Sequence, residues 1–179
     1  MLWRRLDAPG HDACRLERHA DGWRLHGTAV YREGGVVTRL DYDVVCDEAW
    51  ITRRGSVRGW LGEREVDLVI VRTATGVWSM NGMVATGLDG CLDLDLGFTP
   101  ATNALQLRRV ALAKGQAVDV PVAWLDVAGG TLTLLRQRYE RRSETTYWYE
   151  APRFDYAAAL EVASSGFVRV YPTLWEMES

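Results

Sequence analysis

The sequence is poor in lysine and contains no long apolar run. Of its 21 basic residues only Lys114 is a lysine, the other 20 are arginines, and the formal net charge is −3. This balance gives no basic surface of the kind that nucleic acids and anionic membranes attract. The longest apolar run is far shorter than the roughly 20 residues that a membrane-spanning helix needs. We therefore predict neither a nucleic-acid partner nor an integral membrane segment.

Cysteines are few and scattered. Cys14, Cys46 and Cys91 form no C-x-x-C pair, and an odd, scattered set is typical of reduced, buried thiols. The opening MLWRRLDAPGHDACRLERHADG is charged and lacks the apolar stretch of a secretory signal. These two features predict a cytoplasmic protein.

The common catalytic and cofactor motifs are also missing. His11, His19 and His26 lack the spacing of a zinc site. Ser56 lies in RGSVRG, which is not a nucleophile elbow. No glycine-rich loop lies between a strand and a helix, where it could hold phosphate. We predict no metal and no cofactor.

The sequence is rich instead in strand-like alternation of apolar and polar residues. WRLHGTAVYRE (23–33) and VVTRLDYDVVCD (36–47) alternate cleanly, and Gly34-Gly35 between them is a hairpin signal. Similar patterns predict further strands within AWITRRGSVRGW, REVDLVIVRT, GCLDLDLGF and LRRVAL. FDYAAALEVA fits a helix or a strand, and we interpret it as a strand.

These segments predict the fold class. About ten or more strands in one antiparallel sheet must curl, because a flat sheet of that size leaves long edges and an uncovered face. We predict a mainly β chain with few helices, forming one domain over residues 1–179. The expected architecture is a strongly curved antiparallel sheet, or open β-barrel, around a cavity.

Three aspartates are candidate reactive groups. Asp89, Asp93 and Asp95 lie in LDGCLDLD, and the last two share one side of a predicted strand. Carboxylates at such separations serve glycoside hydrolysis. The alternative is that this is the solvated face of the strand, with free or salt-bridged aspartates.

Aromatic residues are the second candidate set. The chain has 8 tryptophans and 7 tyrosines. Tyr147 and Tyr149 share one face of a predicted strand, opposite Trp148, and Tyr139 lies on a neighbouring strand. Rings with arginine and glutamine, such as Gln137, can build a sugar-binding wall. They serve equally well in core and cross-strand packing.

The run DLGFTPATNALQLRR (95–109) interrupts the alternation at the middle of the chain. Thr99-Pro100 and Thr102-Asn103 favour a tight turn. Arg108 and Arg109 are adjacent on a predicted strand, so we expect them to point to opposite faces. The inward arginine needs a partner, which could be Asp93, Asp95 or a ligand, and the sequence leaves both readings open.

LDGCLDLDLGFTPATNALQLRR, with VAWL, LRQRYER, YWYE and GFVRVYPTLWE after it, resembles the bacterial family of putative glycolipid-binding proteins. The chain departs from the family pattern at Gln106, Leu107 and Val110. The resemblance implies a fold like that of periplasmic lipoprotein carriers, with a curved antiparallel sheet around an apolar cavity.

Together these observations predict non-catalytic binding of an amphiphile, a glycolipid or a lipid-like molecule, with its polar headgroup at the cavity mouth. The alternatives are an enzyme acting on a sugar conjugate through Asp93, Asp95 or Asp89, and a polar block that only stabilises the fold. The oligomeric state stays open. The predicted ligand-binding residues are Asp95, Thr99, Asn103, Arg108, Arg109, Trp124, Gln137, Tyr139, Tyr147 and Tyr149.

Overall fold

Fifteen strands follow one another along the chain and pair into one sheet. The computed structural model describes residues 1–178. The strands of the first half are β1 (Leu2–Arg5), β2 (Gly10–His19), β3 (Gly22–Glu33), β4 (Val36–Asp47), β5 (Thr52–Leu61), β6 (Arg64–Arg72), β7 (Trp78–Met80) and β8 (Met83–Ala85). Those of the second half are β9 (Asp93–Leu96), β10 (Ala117–Asp126), β11 (Thr131–Arg141), β12 (Thr146–Ala151), β13 (Tyr156–Val162), β14 (Val168–Tyr171) and β15 (Trp175–Met177).

The order of strands explains how the sheet curls. Neighbours in sequence are neighbours in the sheet, and β1 also pairs with β15, with Trp3 opposite Met177. The first and last strands therefore meet in the middle of the sheet. The edge strands β8 and β9 do not pair with each other, so the sheet is curled without closing. The predicted fold class is confirmed.

Several local predictions are confirmed as well. Gly34 and Gly35 join β3 to β4 with φ values of 57° and 85°, a backbone conformation that favours glycine. The ambiguous segment FDYAAALEVA forms β13, a strand as predicted. Cys14, Cys46 and Cys91 are free and buried.

The prediction of a strand through LRRVAL is wrong. The first four residues of this segment are the end of helix α1 (Asn103–Val110), and its last two, Ala111 and Leu112, follow the helix outside any strand. The helix connects β9 to β10, which pair in parallel with Val122 opposite Asp93, so the sheet is not antiparallel throughout. A parallel pair requires a crossover connection, which is usually helical. Alanine, leucine, glutamine and arginine all favour helix, and they fill most of α1.

Helix α1 packs inside the curl of the sheet. Ala104, Leu105 and Leu107 are buried and join the hydrophobic core. The helix also covers β9, in which all four residues are buried. Besides α1, the described residues contain a one-turn 3-10 helix at Pro152–Phe154. None of the helices in residues 1–178 is long and apolar enough to cross a membrane.

Candidate functional site

A cavity of about 490 Å³ opens at the end of the sheet where β1, β3 and β10 finish. Its volume falls in the range of small-molecule sites. Apolar residues such as Leu125 and Leu135 contribute to the walls. Eight aromatic side chains line them as well: Tyr31, Phe98, Trp124, Tyr149, Phe154, Tyr156, Tyr171 and Trp175.

One part of the cavity lining is both polar and buried, and we call it the floor. It consists of Asp95, Thr99 and Asn103. Asp95 comes from β9, Thr99 from the turn that follows, and Asn103 from the first residue of α1. The polar run at the middle of the chain thus forms the bottom of an aromatic cavity.

Asp95 is held by hydrogen bonds from within the chain. Gln137 Nε2 donates to Asp95 Oδ2, and Thr102 Oγ1 donates to Asp95 Oδ1 at 3.2 Å. Burial raises the pKa of the Asp95 carboxyl to about 6, while the bonds from Gln137 and Thr102 act in the opposite direction. Asp95 therefore carries its negative charge at neutral pH and loses it in mild acid.

A layer of hydrogen bonds around the hydroxyl of Tyr139 supports the floor. This hydroxyl accepts from Asn103 Nδ2 at 2.7 Å and donates to Gln106 Oε1 at 2.6 Å. Tyr139 and Gln137 are two residues apart on β11, and the Tyr139 hydroxyl lies 3.3 Å from Gln137 Oε1. Neither residue lines the cavity, and both contact its lining through hydrogen bonds to Asn103 and Asp95.

Arg109 lies away from the cavity and binds Asp93. Its Nε and Nη2 donate to the two carboxylate oxygens at distances between 2.7 and 3.0 Å. Asp93 is fully buried. Of the two forms of the structural alternative, the solvated face is wrong because α1 covers β9, and the salt-bridged aspartate is confirmed for Asp93.

Arg108 also lies outside the cavity. Its Nη2 donates to the carbonyl oxygen of Ser165, and its guanidinium lies 4.9 Å from the centre of the Trp50 ring. Trp50 in turn stacks on Trp23 at 4.4 Å. The expectation that the two arginines point to opposite faces of a strand is wrong, because both lie in the last turn of α1.

The two strand tyrosines divide between cavity and core. Tyr147 and Tyr149 share a face of β12 as predicted, and both are buried. Tyr149 lines the cavity, while Tyr147 does not. Tyr147 lies beneath Arg141, whose guanidinium is 5.7 Å from the ring centre.

The residues at the mouth of the cavity are not among the predicted site residues. Arg5 lies 4.8 Å from the Tyr31 ring centre and 5.5 Å from that of Trp175. It donates to Asp7 at 2.7 and 3.0 Å and to Glu33 at 3.2 Å. The closing motif YPTLW contained Trp175, and this was a signal that could have been used.

A third buried carboxyl, that of Asp12, lies behind Thr99. Asp12 is fully buried, and its Oδ1 accepts from the Tyr42 hydroxyl at 2.8 Å. The Tyr42 hydroxyl is also 3.3 Å from Thr99 Oγ1. Asp12 Oδ2 has no partner among the described residues, and burial raises the pKa of Asp12 to about 7. The same residues 1–178 hold no cluster of three or more histidine, cysteine or acidic side chains suited to a metal ion.

Comparison with known proteins agrees with this architecture. The model of the family described as "Putative glycolipid-binding" matches residues 1–177. The chain is also similar to the crystal structure of a DUF1089 family protein from Pseudomonas aeruginosa, with a TM-score of 0.81 and 25% sequence identity. That similarity covers 93% of this chain and 92% of the other. No curated protein matches the chain.

Proposed function

This chain belongs to the putative glycolipid-binding family, and from that premise and its cavity we propose that it binds an amphiphilic ligand without chemically changing it. The observation that carries the proposal is the pairing of eight aromatic rings with a floor of Asp95, Thr99 and Asn103. Apolar walls with a few converging polar groups are what small-molecule sites share.

The polar floor suggests that the headgroup enters first. The sequence predicted a headgroup at the cavity mouth, and in this proposal it binds instead at the buried polar residues of the lining. The apolar tail then leaves past Phe154, which is 49% exposed at the rim. Each methylene that the tail buries contributes about 0.8 kcal/mol.

The predicted residues take three roles in this proposal. Asp95, Thr99, Asn103, Trp124 and Tyr149 line the cavity and contact the ligand. Gln137 and Tyr139 fix the orientation of Asp95 and Asn103 through hydrogen bonds. The remaining three, Arg108, Arg109 and Tyr147, stabilise the fold.

The enzymatic alternative has less support in this geometry. Asp93 is bound to Arg109, and Asp89 is exposed and outside the cavity. Only Asp95 of the three candidate carboxylates lines the cavity. Glycoside hydrolysis needs two carboxyl groups flanking the bond that breaks.

Native mass spectrometry of the protein purified gently from its own host tests the proposal. We expect a bound lipid or glycolipid that organic extraction releases. Ala151 is buried in the cavity wall, so Ala151→Leu fills space that the ligand needs and reduces the amount bound. Ala157→Leu makes the same change at an exposed position of β13, and we expect it to leave the amount of bound ligand unchanged. A ligand-free mass, with no lipid raising the melting temperature, contradicts the proposal.

A further inference from the structure

We propose that the cavity selects an uncharged, hydroxyl-bearing headgroup and rejects headgroups that carry phosphate, sulfate or carboxylate. This inference rests on the proposed function, because it concerns the same cavity. It assigns Asp95 the role of the residue that sets headgroup specificity.

The charges around the cavity are the first argument. The ionisable acids that line it are Asp7, Glu33, Asp95 and Asp126, against a single arginine, Arg5. The lining therefore has an excess of three negative charges when all five groups are ionised. An anionic headgroup would meet repulsion that the walls strengthen, since apolar surroundings screen charge less than water does.

The one cation is already neutralised. Arg5 pairs with both Asp7 and Glu33, and its guanidinium lies between the rings of Tyr31 and Trp175. A phosphate or carboxylate would have to displace one of these acids to bind Arg5. The Arg5 guanidinium, a group that commonly binds anions, is thus already paired with acidic residues of the chain itself.

The geometry of Asp95 is the second argument. A carboxylate offers about four acceptor positions, and the chain uses two of them, one on each oxygen, for Thr102 and Gln137. Asp95 is one of the residues that line the cavity, and from this we infer that its unused acceptor positions are available to a ligand there. Sugar hydroxyls can donate to it, whereas a deprotonated phosphate or carboxylate group has no proton to donate.

The neighbouring amide supports the same preference. One of the two N–H groups of Asn103 Nδ2 donates to the Tyr139 hydroxyl, while Asn103 Oδ1 accepts no hydrogen bond from within residues 1–178. The floor thus presents acceptors to whatever enters. Trp124 and Tyr149 also line the cavity, and aromatic rings suit the apolar faces of a sugar ring, which need no charge.

Matched ligands can test this inference. Octyl β-D-glucopyranoside and octyl β-D-glucuronide differ in a single carboxylate at C6, and octyl phosphate keeps the same tail with an anionic headgroup. We would titrate each below its micelle concentration by isothermal calorimetry at pH 7.5. We expect the glucoside to bind at least about tenfold more tightly than either anion, the ratio that one like-charge contact produces.

Two variants assign the specificity to Asp95. Asp95→Asn removes one negative charge and retains an acceptor for Gln137, and we expect it to lower the glucoside-to-glucuronide ratio about threefold or more. Asp119→Asn makes the same change at an exposed site of β10 outside the cavity and leaves the ratio unchanged. Should Asp95→Asn fail to fold, Asp126→Asn at the mouth tests the same repulsion, and its amide oxygen can still accept from Gly129 N.

The outcomes separate the inference from the proposed function. If the wild type binds the glucuronide or octyl phosphate as tightly as the glucoside, the inference is overturned while amphiphile binding stands. The inference is also overturned if the folded variants and Asp119→Asn keep the same ratio as the wild type. If none of the three ligands binds, the proposed function fails and the inference fails with it.

Discussion

Arg109 donates to both carboxylate oxygens of Asp93, and this ion pair ties the last turn of α1 to β9. Asp93 is fully buried, and the side chain of Arg109 is 18% exposed. The polar run at the middle of the chain therefore has two functions along its length. Its first residues form the floor of the cavity, and its last residues hold the helix in place.

Removing Arg109 should destabilise the fold strongly. Arg109→Ala leaves the Asp93 carboxylate buried without its partner, and breaking such a pair costs about 3–5 kcal/mol. Denaturant unfolding measures the loss. Arg108→Ala is the matched comparison, because Arg108 binds a backbone carbonyl and a ring but no carboxylate, and we expect a smaller loss. Equal losses for the two variants would contradict this assignment.

The buried carboxyl of Asp12, whose Oδ2 has no partner within residues 1–178, should make stability depend on pH. Burial raises its pKa from 3.8 to about 7 in the folded protein, so the folded state holds a proton that the unfolded state has lost. The contribution of Asp12 to the free energy of unfolding is complete below about pH 4 and disappears as pH rises through 7.

Asp12→Asn should therefore flatten the pH dependence of stability. The difference in the free energy of unfolding between wild type and variant should change by on the order of 3 kcal/mol between pH 4 and pH 8. The wild type loses stability at the higher pH. Urea unfolding at several pH values measures it. Parallel curves for the two proteins would show that Asp12 keeps an ordinary pKa.

Gly97 should be essential for the position of Trp124. A Cβ atom at Gly97 would lie 2.5 Å from Trp124 Nε1, so Gly97→Ala must push the indole, which lines the cavity. We expect shifted tryptophan emission and weaker binding of octyl glucoside. In a Trp124→Phe background the ring is smaller, and Gly97→Ala should then reduce the affinity for octyl glucoside less. An equal cost in both backgrounds would argue against the contact.

The Tyr139 hydroxyl should contribute to both stability and binding. Tyr139→Phe leaves Asn103 Nδ2 and Gln106 Oε1 without this partner, which costs about 1–3 kcal/mol for buried groups. Ligand affinity should also fall, because Asn103 loses its fixed orientation. Tyr147→Phe is the control, since the Tyr147 hydroxyl makes no hydrogen bond within residues 1–178. Calorimetric melting and ligand titration report the two effects, and matching behaviour of both variants would refute the role of the hydroxyl.

The strands could be predicted from sequence because their signal is local. Alternation in β3 and β4 and the Gly34-Gly35 turn between them need no knowledge of the rest of the chain. Helix α1 was missed for a different reason. Its paired arginines were interpreted by strand geometry, although the residues of NALQLRR favour helix.

The burial of the aspartates and the mouth of the cavity depend on long-range contacts. Asp93 is buried only because α1 crosses over β9, which alternation along β9 does not reveal. Arg5 and Trp175 lie at opposite ends of the sequence and meet because β1 pairs with β15. The motif YPTLW singles out Trp175, but no pattern within either segment indicates the pairing, so the contact between Arg5 and Trp175 could not be predicted.

A crystal structure of the protein with octyl β-D-glucopyranoside tests the central claim most directly. The account predicts a sugar ring in the cavity, beside Trp124 and Tyr149, with hydroxyls within hydrogen-bond distance of Asp95 and Asn103, and the octyl tail leaving past Phe154. Density for the ligand only on the outer face of the sheet, with the cavity floor holding no headgroup, would contradict it.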